Sequence, residues 1–422
     1  MSPVALLSSE PIRPLMAGIG IRYLELARRL PAYGIDVVLV SPAAPEETAT
    51  LGGLGGVTVR RFERGRLGAI LGDCDAAVAQ GQLANDLVLE LPNLPVAIDL
   101  YDPWLIENFA YFATLGLDPY RNDHATWRLQ MSRGDFFLCS SEEQRTFYLG
   151  FLAALGRVNP ERTAGDPDLA TLIAAVPFGV PDELPLHRPI LPPRAAGERR
   201  LLFGGLYDWY DPWTLLDALE MLERPGWTLL LIRNPNPEST PQRLFSEVEA
   251  RCRALGWWGS RVQVHDWVPA ERRYDLLRDV DLLVAPHRPS LETRLSLRTR
   301  FLDALAAGCP VVTTEGGAMS RLLAEHHAGW LAPAGDAAAL SRLLAEALDD
   351  PGARQAGARS LAAAFRWDRV LAPLVAFCRE PWSDPAKERF AQPLATVAPA
   401  DRLAFRLRRK LRAWMRTWSR GA

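Results

Sequence analysis

Short apolar runs recur along this chain, each followed by a loop and then by apolar residues three and four positions apart. Residues 4–7 form the first run and predict a strand, and Ile21, Leu24, Ala27 and Leu30 then return at helical spacing over about 19–30. The run Asp36-Val37-Val38-Leu39-Val40 lacks polar alternation, which suits a strand covered on both faces. Further strands are predicted at 57–62, 76–79, 96–100 and 136–139. The same order restarts at 200–205 and continues through 228–232, 262–264, 282–285 and 310–313. Strands alternating with helices imply a parallel, doubly wound α/β sheet, and two starts imply two of them.

A chain of 422 residues is too long for one ordinary core, in agreement with that pattern. The predicted units are a first domain over 1–179, a proline-rich linker over 180–198 and a second domain over 199–359. A helix over 360–380 is expected to pack back toward the first domain, and 381–422 read as a loose linker with a basic tail.

Hydrophobic content of 48% with 23% charged residues places the chain among globular proteins rather than disordered or fibrous ones. The start of the chain lacks a basic segment ahead of a long apolar run, and no stretch is long enough to cross a bilayer, so the expected location is cytoplasmic. Cys74, Cys139, Cys252, Cys309 and Cys378 have no paired spacing and read as buried thiols in a reducing compartment. No cluster has metal-ligand spacing, so neither a metal nor a cofactor is expected. The net charge of −2 is unevenly spread: residues 401–422 carry seven Arg and Lys410 against Asp401, about +7, which leaves −9 on residues 1–400.

The densest chemistry lies between 281 and 317. A strand ends at Pro286 and His287, followed by Glu292, Arg294, Arg298 and Arg300, then a small helix with Asp303, a strand, and the turn Glu315-Gly316-Gly317. Ligands of doubly wound sheets bind beyond the carboxyl ends of the strands. Guanidinium forks suit a diphosphate, a carboxylate accepts both hydroxyls of a ribose, and a glycine turn brings backbone amides close to a phosphate. In the first domain Gly18 and Gly20 stand where a helix begins. Free amides there face an anion or a sugar oxygen, or the glycines simply make a flexible loop. Only two glycines of a dinucleotide fingerprint are present, which disfavours a NAD enzyme.

The run 300–317 resembles the donor-site signature of GT-B glycosyltransferases, in particular the large retaining family that includes sucrose synthase and many bacterial polysaccharide glycosyltransferases. It has the acid, the small helix ending in Ala-Gly, the Pro-Val-Val strand and the Gly-Gly of that pattern. Gly204-Gly205-Leu206 followed by Asp211-Pro212 is similar to the start of the family's C-terminal domain, and Asp266-Trp267-Val268-Pro269 stands where its members contact the donor base. The likeness spans about residues 1–378. It implies a GT-B fold, two Rossmann-like domains facing across a cleft, here with a C-terminal basic amphipathic helix added. It also implies metal-independent transfer of a hexosyl or deoxyhexosyl group from a nucleotide sugar, with retention, to a saccharide or lipid-linked saccharide in cell-surface polysaccharide or glycan synthesis. By resemblance Asp303 holds the donor ribose, Trp267 and Val268 the base, and Gly18, Gly20, Gly205, Gly316 and Gly317 line the donor site. Two departures stand out. Leu295 replaces a glutamate near the transferred sugar, so that either the loop is rearranged and Glu292 substitutes or the sugar is gripped differently, and Asp211-Pro212 replaces the diphosphate-binding Arg and Lys, which leaves Arg294, Arg298 or Arg300. They keep open a non-catalytic GT-B subunit and a nucleotide-sugar epimerase on the same fold.

For the acceptor side, the strand ending Asp99-Leu100-Tyr101-Asp102 makes Asp102 the first catalytic candidate, with Glu107 close behind. A helix cap ahead of Pro103 is the alternative for Asp102, a helix cap is the reading for Ser141, and His287 reads equally as cleft-lining or structural. In the tail, Leu403, Leu407, Leu411, Trp414 or Met415, and Trp418 share one helical face with arginines opposite. That pattern fits an anionic membrane surface, here the inner face of the plasma membrane, with a solvated tail or docking on the acidic body as alternatives. Nucleic acid is not expected, because only the tail is basic.

Overall fold

The computed structural model describes residues 2–207, 209–233 and 243–385, with Lys387 and Arg389. Its strands form two wholly parallel sheets. The first contains β1 (Val4–Leu7), β2 (Val37–Ser41), β3 (Val57–Arg61), β4 (Ala76–Ala79), β5 (Val96–Asp99), β6 (Phe136–Cys139) and β7 (Ile173–Ala175), in the order β3-β2-β1-β4-β5-β6-β7. The second contains β8 (Arg199–Gly204), β9 (Trp227–Ile232), β10 (Val262–His265), β11 (Leu282–Ala285), β12 (Val311–Thr314) and β13 (Gly329–Ala332), in the order β10-β9-β8-β11-β12-β13. β1, β2, β4, β5 and β6 are buried at every residue, as their unbroken apolar runs require, because helices cover both faces. β3, at the sheet edge, ends instead in two arginines and is half exposed.

In each sheet the strand order reverses once, between β1 and β4 and between β8 and β11, and a crevice opens above that point. The two crevices face each other. The domains meet on both flanks of the resulting cleft. On one flank the Trp267 indole N–H donates to the Met16 carbonyl at 3.2 Å and the Ala270 amide to the Pro14 carbonyl at 3.1 Å. On the other, the Gln144 side-chain amide donates to the carbonyls of Tyr101 and Leu295, each at 3.0 Å. Leu295 belongs to the second domain by sequence, yet it is packed into the hydrophobic core of the first.

One buried ion pair fixes the wall below the cleft. Arg22, on the helix Gly18–Arg29, reaches Asp99 at the end of β5 (2.7 and 3.1 Å) and donates to the carbonyls of Val176 (2.9 Å) and Pro177 (3.2 Å). The chain returns to the first domain near Val180, whose amide and carbonyl bond Phe365 and Trp367. Phe377 stacks on Phe136 at 5.5 Å, and Asp384 pairs with buried Arg157 at 2.7 Å. All five cysteines are free and buried. The amphipathic segment 401–422 lies outside the described residues. No described helix is long and apolar enough to cross a membrane.

Candidate active site

A cavity of about 1030 Å³ fills the cleft between the carboxyl ends of the two sheets. Its first-domain wall comes from the loop and helix after β1 (Glu10, Arg13, Ala17, Gly18) and from the segment after β5 (Asp102, Trp104, Glu107, Tyr111). Its second-domain wall comes from the turn after β8 (Gly205, Tyr207, Trp209, Tyr210), from Trp267, Val268 and Arg273, and from Arg298, Arg300 and Asp303.

The second-domain wall is basic. After β11 the chain makes the short helix Leu291–Leu295, capped by Ser290, whose hydroxyl accepts from the Thr293 amide at 3.0 Å. It then turns through Ser296 and Leu297 into the helix Thr299–Ala307. Arg298 stands at that helix start, with both terminal nitrogens 2.6 Å from the Glu292 carboxylate. Arg300 donates to the Phe203 carbonyl at 3.1 Å and lies 5.0 Å over the Tyr210 ring. Gly204 makes this approach practicable: its φ is +82°, and a β-carbon there would come within 2.7 Å of the Arg300 guanidinium. Asp303 is paired with Arg273 at 3.3 Å, and Arg273 also donates to the Tyr274 hydroxyl at 3.0 Å.

The first-domain wall is acidic. The Glu10 carboxylate accepts from the Ala17 amide at 2.6 Å and the Gly20 amide at 2.7 Å, so the start of the helix Gly18–Arg29 already holds an anion. Burial raises the Glu10 carboxyl above its usual range, against those two bonds and nearby Arg13. Farther along, Asp102 and Glu107 share a hydrogen bond deep in the cleft, where solvent still touches both. Burial raises Asp102 to about 6, with the Glu292 charge adding and the Glu107 bond and Arg298 opposing. Glu107 is pushed well above the carboxylate range by burial first and then by Asp102 and Glu292, so Glu107 holds the shared proton. The Ser296 hydroxyl links the walls, 2.8 Å from Glu292 and 3.4 Å from Glu107.

Of the residues singled out from the sequence, Gly18, Asp102, Glu107, Gly205, Trp267, Val268, Arg298, Arg300 and Asp303 line the cavity. The others do not. Glu292 sits behind Arg298, only 4% exposed and turned toward Ser296. Arg294 lies on the outward side of its five-residue helix, whose Glu292, Thr293 and Leu295 are the buried positions. Gly20 is spent on Glu10 and packs against Met16. Gly316 and Gly317 lead into the helix Ala318–Glu325, where the Gly317 amide is taken by the Ser320 hydroxyl at 2.8 Å and a β-carbon would strike the Thr293 carbonyl. The expectation that the Gly20 amide lies open to an anion is therefore corrected by Glu10, which takes it together with the Ala17 amide.

Asp102 caps no helix: the helix Trp104–Glu107 begins at Pro103 without a side-chain cap. Ser141 does cap its helix, accepting from the Gln144 amide at 3.2 Å. His287 is structural. It is held neutral by burial, with Arg298 and Arg300 adding to the effect, and packs edge-on against Tyr210 at 4.8 Å. Glu10, Arg13, Arg273 and the aromatic set Tyr207, Trp209 and Tyr210 were not foreseen. An acid between β1 and the glycine pair is the one local signal that pointed to Glu10. Among the described residues no group of three His, Cys, Asp or Glu is placed to hold a metal ion.

Residues 198–350 match the family model described as glycosyl transferases group 1. No curated protein matches the sequence. Among solved structures, sucrose-phosphate synthase from Thermosynechococcus elongatus is similar with a TM-score of 0.64 at 16% identity, over 90% of this chain and 98% of that one. HepE from Anabaena, solved with UDP and glucose, aligns with a TM-score of 0.61 at 15% identity, over 90% and 100%. WaaG, a glycosyltransferase involved in lipopolysaccharide biosynthesis, gives a TM-score of 0.54 at 16% identity, over 88% and 98%. The chain thus has the two-domain GT-B glycosyltransferase fold, with the group 1 pattern in its second domain.

Proposed function

We propose that this GT-B chain, whose second domain matches the group 1 glycosyl transferases, moves a sugar from a nucleoside diphosphate to a saccharide or lipid-linked saccharide hydroxyl, with retention of configuration. The observation that carries the reading is one cavity with arginines on the wall that matches the family and a raised carboxyl pair opposite. The base rests on Trp267 and Val268, the ribose on Asp303, and the diphosphate on Arg300 and the open edge of Arg298. As the bond from the sugar carbon to the diphosphate oxygen breaks, its electron pair leaves with the phosphate, and the arginines stabilise that charge. The acceptor oxygen enters on the same face and its proton passes to the departing diphosphate. Asp102, ionised above about 6, accepts a hydrogen bond from a neighbouring hydroxyl of the acceptor saccharide and so aims the incoming one. HepE was solved with UDP-glucose, which makes a UDP-sugar the first donor to try.

A thermal-shift series with nucleoside diphosphates tests the donor half. A ligand at a hundred times its Kd stabilises by about 2.7 kcal/mol, and Arg300→Ala is expected to weaken that ligand about tenfold, the worth of one charged hydrogen bond. No shift with any nucleotide would remove the reading. One observation favours a non-catalytic subunit: Leu295, where the family carries its glutamate, is buried in the other domain's core. Sugar release or transfer by the wild type, lost in Asp102→Asn, decides between them. An epimerase is not supported, since no histidine lines the cavity. On its sequence alone, the tail 401–422 is assigned to an anionic membrane surface, which places the enzyme at the inner face of the plasma membrane.

A further inference from the structure

The turn after β8 reads Gly204-Gly205-Leu206-Tyr207-Asp208-Trp209-Tyr210-Asp211-Pro212 and carries no cation, although it forms part of the basic wall. Asp211 is turned away from the cavity. It is buried and caps the helix Pro212–Met221, with the Thr214 hydroxyl at 2.6 Å and the Thr214 amide at 3.3 Å. Tyr207 does line the cavity, and its ring is fixed on several sides. It stacks on Trp209 at 4.9 Å with the planes 5° apart, meets Tyr210 edge-on at 5.6 Å, and has the Arg300 guanidinium 5.8 Å from its centre. Trp209 is braced in turn by Tyr111 of the first domain at 6.3 Å. A β-carbon on Gly205 would lie 3.5 Å from the Tyr207 ring and 3.8 Å from the Trp267 ring, so the phenol stands beside the surface assigned to the base. Among the described residues the Tyr207 hydroxyl has no hydrogen-bond partner, and it is not sealed from the cavity. Burial pushes it up to about 12, with Tyr210, Glu107 and Glu10 adding to the effect and Arg300 opposing it. The phenol is therefore protonated at neutral pH, between an arginine on its own wall and the carboxyls of the other.

We infer that Tyr207 is a further donor-binding residue: its hydroxyl donates to an oxygen of the diphosphate held by Arg300 and keeps its proton throughout transfer. The nucleoside part of that ligand rests on the donor reading above; the contact to an anion rests on the cavity alone. The carboxylates of Glu10 and Asp102 repel an anion from the first-domain wall, which leaves it on the side of Tyr207. The arginines there are partly spent. Both terminal nitrogens of Arg298 reach Glu292, and Arg300 donates to the Phe203 carbonyl. Two phosphates have more acceptor oxygens than the remaining guanidinium donors fill, and a phenol beside them supplies one more donor without adding charge. Its bond to the leaving oxygen strengthens as that oxygen gains charge, and the stacked rings hold it in place before the ligand arrives.

The test compares the full wild-type chain with Tyr207→Phe, which keeps the ring and its stacking and removes only the hydroxyl. Binding of UDP and of inorganic pyrophosphate is measured by calorimetric titration, and binding of uridine by ligand-observed NMR. UDP and pyrophosphate are each expected to bind the variant about tenfold more weakly, the worth of one charged hydrogen bond. Uridine is expected to bind both proteins alike, and the ligand-free variant to melt at the wild-type temperature. Wild-type affinity of the variant for both anions overturns the proposal. An equal loss for uridine also overturns it, since the damage then lies in the shape of the wall and not in a contact to phosphate. Pyrophosphate bound by the wild type and weakened in the variant, with no nucleoside diphosphate bound by either, upholds the contact while removing the donor reading. Failure of the wild type to bind either anion removes both.

Discussion

Asp102→Asn is expected to lower sugar transfer by about 10²-fold, the loss that follows when a reacting hydroxyl is no longer aimed, while nucleotide binding is kept. Its second signature is a gain in stability at neutral pH. Asp102 ionises near 6 in the folded protein and near 3.9 in the unfolded chain. Below the lower value both states hold the proton and nothing is lost. As pH rises through this window the unfolded chain releases the proton first, so the folded state loses stability, with the full penalty present above about 6. Asparagine cannot ionise and removes the penalty, which we place at about 1–3 kcal/mol at pH 7 and near zero at pH 3.5. The wild-type transfer rate should also fall below about pH 6 as the carboxylate is lost. Urea unfolding at the two pH values and a pH–rate profile check both halves. A variant that is slower but no more stable at pH 7 would show that Asp102 carries no buried charge.

The largest stability effect is expected at Arg298→Leu. Glu292, only 4% exposed, would then keep a negative charge with the Ser296 hydroxyl and no guanidinium beside it. Breaking a buried pair from one side costs about 3–5 kcal/mol, read as a lower urea midpoint at unchanged slope. Adding Glu292→Gln should recover more than half of that loss, because the uncompensated charge disappears. Nucleotide binding should not recover with it, since the arginine facing the diphosphate is still missing. Full recovery of both would show that Arg298 acts only as a partner for Glu292.

The two sheets were legible because parallel strands covered on both faces leave unbroken apolar runs such as 36–40, and helices between them leave a second period. β7, only Ile-Ala-Ala, and β13, which begins with glycine, carry too few large side chains to show as runs. The wall of arginines was legible as composition and not as geometry. Arg294 and Arg298 sit in the same polar stretch, and a helix of five residues capped at Ser290 decides that one points outward and the other to the cavity. That helix is too short for any periodicity to announce. The pairing of Asp303 with Arg273, thirty residues apart, and the use of Glu10 to fill a helix start both depend on tertiary placement that no local pattern carries.

Leu295 has a consequence for how the molecule comes apart. Because its side chain completes the core of the other domain and its carbonyl is held by Gln144, neither half is a finished unit without its neighbour. Heat should therefore melt both halves in a single calorimetric transition, and Leu295→Ser should split it into two. At that position a single apolar side chain acts as a keystone between the halves, and through it the stability of each is tied to the other.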